Sequence, residues 1–195
     1  NAKTISEFFD DYGEKEWERL ETTPRDQVSF HIHKHYLEKF VKAGDSVLEA
    51  GAGAGRFTIE LAKLGTNITV GDISKVQLEL NEKYVKEAGL ERFVEARVAL
   101  DITNLSEFEA NQFDAVVCYG GPVSYVVDKG KKAISQLLRV TKPGGHLFIS
   151  ARSLLGTTRL FFEQVTSLDD YPNVLTRVNV NGVLDSNSGH APLKM

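Results

Sequence analysis

Three glycines at positions 51, 53 and 55 stand between an apolar run and an amphipathic one, in VLEAGAGAGRF (47–57). Positions without side chains let the backbone turn sharply and let a ligand approach it closely. The helix predicted to follow presents free N–H groups at its start. A glycine-rich turn from strand to helix reads as a nucleotide-type cofactor site at the carboxyl edge of a parallel sheet. The alternative is a tight turn that serves helix–strand packing. The spacing is G-x-G-x-G, not the dinucleotide G-x-G-x-x-G, and Gly55-Arg56-Phe57 lacks the Gly-Lys-Ser/Thr ending of a Walker loop.

Three acids flank this turn. Asp72 ends the second predicted strand about twenty residues on, where a carboxylate accepts hydrogen bonds from ribose hydroxyls. Capping the next helix is its alternative role, which Ser74 serves equally well. Asp101, in LDIT after the third predicted strand, is placed to accept from an exocyclic amino group, which suits an adenine. Its alternative is a solvated loop. Glu49 lies inside the first strand, where an apolar residue is expected, and a buried carboxylate needs a partner. It would repel a pyrophosphate and favour a cofactor carrying a cationic sulfonium and an α-amino group. An ion pair with a local Lys or Arg would satisfy it too.

Other reactive side chains form weaker patterns. HIHKH places His31 and His35 one helical turn apart, but no third ligand stands in a recognisable metal motif. They read as solvated helix-face histidines. His33, on the side of Leu37, is a candidate base near an acceptor. Cys118 is the single cysteine, so no disulfide can form within the chain, which fits a reducing cytoplasm.

The elements that must position these residues alternate. A charged helix is predicted over 4–22, and a second over 25–41 with Val28, Ile32, Tyr36 and Phe40 on an apolar face. Strands are predicted at 46–51, 67–74, 93–103, 113–121 and 146–151. Helices fall at 56–65, 75–90 and 129–140, and KPGG (142–145) is a turn. Strand–helix alternation argues for βαβ units and a parallel sheet, buried on both faces. Beyond Arg152, residues 154–168 read as a helix and VLTRVNVNG (174–182) as a strand with an Asn-Gly turn.

The 195 residues suit one α/β domain. An apolar fraction of 42% and a charged fraction of 26% exclude wholesale disorder. With net charge −4 and no dense Lys/Arg block, nucleic acid is a poor partner. The polar N-terminus is not a signal peptide, and no apolar run approaches a membrane span. Oligomeric state is left open.

EAGAGAG (49–55) resembles the first motif of class I S-adenosylmethionine-dependent methyltransferases. Asp72, the pair Asp101-Ile102, FDAVVCYGG (113–121) and LLRVTKPGGHLFIS (137–150) resemble the motifs that follow, over roughly residues 45–150. The resemblance implies an α/β fold: a Rossmann-like, doubly wound, mostly parallel sheet of order 3-2-1-4-5, helices on both faces and an N-terminal helical lid. Residues 1–41 would form the lid, 45–151 the cofactor-binding core and 152–195 a C-terminal part. A complete member adds two more strands. Residues 174–184 would supply one and the second has no candidate, which leaves open whether the chain is truncated after Met195.

The same resemblance implies S-adenosyl-L-methionine as cofactor. The backbone of Gly51, Ala52 and Gly53 would border its methionine part. Asp72 would bind the ribose, Ile73 would pack on the adenine, and Asp101 would hold the adenine amino group with Ile102 alongside. Cys118 and Tyr119 would floor the site of methyl transfer. Tyr12, His33 and Tyr125 are candidates to meet a small-molecule acceptor. GGPVSYVVD (120–128) departs from the Asn/Asp-Pro-Pro-Tyr pattern of methyltransferases acting on amino groups of bases or glutamine. In-line displacement demands no catalytic residue beyond positioning, so none is assigned. The rivals are a non-catalytic cofactor-binding protein and a nicotinamide-dependent oxidoreductase, the latter disfavoured by Glu49, Asp101 and the glycine spacing.

Overall fold

The computed structural model describes residues 2–160, 162–167, 170–184 and 193–194. Helices α1 (Ala2–Tyr12), α2 (Lys15–Glu18) and α3 (Pro24–Phe40) lead in. Alternation follows: β1 (Ser46–Ala50), α4 (Arg56–Lys63), β2 (Asn67–Asp72), α5 (Lys75–Glu87), β3 (Val94–Ala99) and β4 (Phe113–Cys118). After α6 (Pro122–Tyr125) and α7 (Gly130–Val140) comes β5 (Thr141–Ile149). Then α8 (Leu154–Leu160), α9 (Phe162–Thr166) and α10 (Tyr171–Asn181) precede two-residue strands β6 (Val183–Leu184) and β7 (Leu193–Lys194), which pair antiparallel.

The five long strands form one parallel sheet in the order β3-β2-β1-β4-β5, as the resemblance implied. The chain winds from β1 outward to β3, then restarts on the other side of β1 with β4. Right-handed crossovers put the two sets of helices on opposite faces. Strand pleating sends alternate side chains to each face. Val47 therefore joins Leu61, Ile68, Val70 and Val117 in one buried cluster, while Leu48 joins Phe113, Val116, Leu137 and Val140 in the other. Full burial of each such side chain contributes roughly 1.5–3 kcal/mol. The winding reverses between β1 and β4, and there the carboxyl ends of the strands open a crevice.

Four expectations are corrected. The helix predicted over 4–22 breaks at Gly13, and the Gln77 side chain of α5 donates to the Phe9 and Gly13 carbonyls, both at 3.0 Å. On α3 the predicted apolar face points outward, with Val28, Ile32 and Tyr36 at 59, 49 and 47% exposure. A strict four-residue repeat drifts around a helix of 3.6 residues per turn. The packed face is instead Phe30, His33, Leu37 and Val41, whose spacing of three and four follows the helix. The KPGG segment is no separate turn: it lies within β5, which shifts register against β4 between Phe113 and Ala115. Finally, most of 174–184 is helix, not strand. Pro172 suits the first turn of α10, and Val174 and Val178, four apart, are the buried pair. The predicted helix over 154–168 becomes α8 and α9; residues 161 and 168 of it, and most of the ending, lie outside the described residues.

Candidate active site

The crevice is a cavity of about 1360 Å³. That exceeds the roughly 300–1,000 Å³ of an ordinary small-molecule site and leaves space for two ligands side by side. Its wall includes Gly51, Ala52 and Gly53 of the turn, Asp72 and Ile73 after β2, Asp101 and Ile102 after β3, and Tyr119 after β4. Tyr12, His33 and Tyr125 line it as well. Two candidates stand behind the wall: neither Glu49 nor Cys118 is among its lining residues.

The turn is shaped by what has no side chain. Gly51 has φ +83°, and a Cβ there would sit 2.4 Å from the Pro122 Cγ. Gly53 has φ +54°, and a Cβ there would meet the Glu16 Cγ at 3.2 Å. Both conformations lie where side-chain-bearing residues are rarely found. The loop after β4 and the helix α2 thus close directly on the turn.

Asp72 ties the site together. Its Oδ2 accepts the Gly53 N–H at 2.8 Å and its Oδ1 accepts the Ser74 N–H at 2.9 Å. Burial raises its carboxyl to about 6, against the lowering effect of those amides. The capping role falls to Ser74, whose hydroxyl accepts the Gln77 N–H at 3.0 Å. Asp101 accepts the Thr103 N–H at 2.8 Å, which steadies the loop it stands on.

Glu49 is buried without an ion pair. The Thr58 hydroxyl of α4 donates to its Oε2 at 2.5 Å. Burial, opposed by that bond and aided by the nearby Asp72 charge, raises Glu49 to about 8. Behind it, the Asn81 amide donates to Thr58 Oγ1 at 2.7 Å, and Arg97 Nε donates to Asn81 Oδ1 at 3.0 Å. Arg97 in turn pairs with Glu91 through both terminal nitrogens, at 2.7 and 2.9 Å. This chain, buried from Glu49 to Asn81 and half-buried at Arg97 and Glu91, braces the glycine turn from beneath. Sequence reasoning missed Thr58, Asn81 and Arg97. The available signal was Gln77 and Asn81, two polar residues four apart on one face of α5, a face the structure buries fully.

Cys118 is fully buried and its thiol is pushed up to about 12 by desolvation. It is no nucleophile at neutral pH, because the thiolate is the reactive form. Tyr119 is likewise raised to about 12 by burial. Its ring meets that of His33 edge-on, with centroids 4.3 Å apart. The His33 Nδ1 lies 2.6 Å from the Ser29 carbonyl, which can only accept. Nδ1 therefore carries the proton, and in the neutral ring Nε2 has the free lone pair of a base.

The N-terminal helices cover the crevice. Trp17 stacks on Tyr84 at 3.9 Å, and the Arg56 guanidinium lies 3.7 Å over its ring. Arg56 also donates to the Trp17 carbonyl at 2.8 Å and pairs with Glu21 at 2.6 Å. Trp17 is thus a clamp between α4 and α5. Beside it, Arg19 and Glu16, three residues apart on one helical turn, form a 2.6 Å ion pair.

The comparisons agree with this geometry. Over 130 residues the chain is 29% identical to a ubiquinone/menaquinone biosynthesis C-methyltransferase of Zymomonas mobilis, covering 63% of this chain and 51% of that protein. It is 32% identical over 108 residues to a ubiquinone biosynthesis O-methyltransferase of Dechloromonas aromatica, covering 55 and 44%. The chain therefore spans about half the length of the curated relatives it matches. A SAM-dependent methyltransferase structure from Methanosarcina mazei shares the fold, with TM-score 0.63 at 21% identity, over 82% of this chain and 76% of that one. Residues 47–145, from β1 into β5, match the family described as a methyltransferase domain, and the chain belongs to that family.

Proposed function

We propose that this chain binds S-adenosylmethionine and transfers its methyl group to a small-molecule acceptor by in-line displacement. One observation carries the reading: Asp72, which accepts a hydrogen bond from the glycine turn itself, shares one large cavity with Asp101 and with the aromatic side chains of the lid. The residues present fit that cofactor. Gly51 and Gly53 leave bare backbone in the wall, and Asp72 and Asp101 offer acceptors to a ribose and an adenine amino group. When bound, S-adenosylmethionine supplies a methyl group already activated on a cationic sulfur.

The chain's own part is to hold and to shield. Ile73 and Ile102 supply apolar packing on either side of an adenine. Glu49 acts from behind the turn, keeping β1 and α4 in register through Thr58. Tyr119 and Tyr125 bound the acceptor's end of the cavity, and the lid excludes water. For an acceptor that must lose a proton, His33 Nε2 is the base. Relatives named for C- and for O-methylation fit an acceptor of modest size and either nucleophilic atom. The single buried thiol suits a cytoplasmic setting, and no described helix is long and apolar enough to cross a membrane.

Calorimetric titration with S-adenosylhomocysteine tests the binding, and transfer of a radiolabelled methyl to a broad acceptor panel tests the chemistry. No heat of binding at millimolar ligand would sink the reading. Tight binding with no transfer to any acceptor would favour a non-catalytic cofactor-binding protein.

A further inference from the structure

Three of the five arginines that line the cavity are already paired with a carboxylate. Asp72 and Asp101 belong to the end with the glycine turn. Along the wall Arg19 is held by Glu16, Arg25 by Asp26 and Arg56 by Glu21. Arg159 and Glu163 line it too, both exposed to solvent. Of the two lining arginines without an ion pair, Arg152 is the half-buried one, and it has no carboxylate partner among the described residues.

Its place is built. The Arg152 N–H donates to Ser124 Oγ at 2.9 Å, which fixes the backbone at the end of β5 against α6. Its side chain runs beside the loop after β4, with Cγ 3.9 Å from where a Cβ on Gly121 would lie. Its charge acts on the phenol of Tyr12, across the cavity on α1. Around it stands an aromatic wall. Phe9 and Tyr125 meet edge-on at 5.3 Å, and Phe8 stacks on Tyr12 at 5.8 Å.

We propose that the acceptor is an aromatic molecule bearing a carboxylate, with the carboxylate on Arg152 and the ring against Phe9, Tyr12 and Tyr125. This rests on the methyl-transfer reading and specifies its substrate class. An unpaired guanidinium beside apolar walls costs free energy that a bound anion recovers. The guanidinium fork matches a carboxylate through two parallel hydrogen bonds. Flat aromatic walls hold a ring in offset or edge-on contact. A neutral acceptor would complete the aromatic packing and leave Arg152 unmet.

The test uses the protein saturated with S-adenosylhomocysteine. Hydroxybenzoates and hydroxycinnamates are titrated in parallel with their primary amides. At least one acid is expected to bind ten-fold or more tightly than its amide. In Arg152→Gln that preference should shrink to within two-fold, while affinity for S-adenosylhomocysteine stays unchanged. In Arg152→Lys, which keeps the charge but not the fork, part of the preference should return. Equal binding of acids and amides, an acid preference that survives Arg152→Gln, or no binding by any acid would overturn the proposal. Failure of the wild type to bind S-adenosylhomocysteine is a separate result and overturns the methyl-transfer reading beneath it.

Discussion

The carboxylate of Asp72 reaches back across the glycine turn to accept the Gly53 amide at 2.8 Å, so one acid both shapes the loop and faces the cavity. The Asp72→Ala variant should lose both roles. Its affinity for S-adenosylhomocysteine should fall on the order of ten- to a hundred-fold, the equivalent of about 1–3 kcal/mol for a lost charged hydrogen bond. Calorimetry returning wild-type affinity would remove Asp72 from the cofactor site.

Gly51 and Gly53 should fail differently. A Cβ on Gly51 would collide with Pro122 Cγ at 2.4 Å, a ring fixed in its backbone. Gly51→Ala should therefore lower the thermal midpoint as well as ligand affinity. A Cβ on Gly53 would meet the mid-chain Cγ of Glu16 at 3.2 Å, a flexible neighbour able to yield. Gly53→Val should mainly weaken S-adenosylhomocysteine binding, with a backbone strain of roughly 1–2 kcal/mol. Thermal melts and titrations of the two variants separate these outcomes, and an identical profile for both would contradict the assignment.

Two buried acids give the ligand-free protein a pH dependence of definite sign. Burial raises Glu49 from 4.5 to about 8 and Asp72 from 3.8 to about 6. The folded state keeps protons that the unfolded chain has released. Stability from these groups is therefore present at acid pH and is lost as pH rises, through about 6 for Asp72 and about 8 for Glu49. Each tenfold change in proton affinity is worth about 1.4 kcal/mol. Glu49→Gln should flatten the decline between pH 5 and 8.5 in urea unfolding. A wild-type slope in that variant would show that Glu49 ionises freely in the fold.

Asn81 is the middle of the chain that runs from Glu91 through Arg97 and Thr58 to Glu49. Removing it strips a partner from both Thr58 and Arg97. Asn81→Ala should cost about 1–3 kcal/mol of stability, as expected when buried polar groups lose their partners. It should also loosen cofactor binding, because the glycine turn rests on this chain: a Cβ on Gly55 would lie 3.0 Å from the Asn81 amide nitrogen. Equal stability of variant and wild type would show that water or side-chain rearrangement replaces the lost bonds.

The sequence by itself determined the order of strands and helices in the core, the glycine turn, and the acids Asp72 and Asp101 at the strand ends. These are local: short apolar runs, helix-period stripes and turn residues act over a few positions, so they are legible one segment at a time. Glu49 was conspicuous as an acid within an apolar strand, but which neighbour would satisfy it was not. Only the tertiary structure decided that Thr58 serves it, that Asn81 and Arg97 stand behind, and that Glu49 and Cys118 lie outside the cavity wall. The tertiary structure also decided which side of α3 packs, and made 171–181 a helix. Arg152 acquires its meaning the same way, since residues far apart in sequence meet only when packing brings them to one cavity. Burial and pairing are properties of neighbours in space, and a linear pattern specifies neighbours only within its own element.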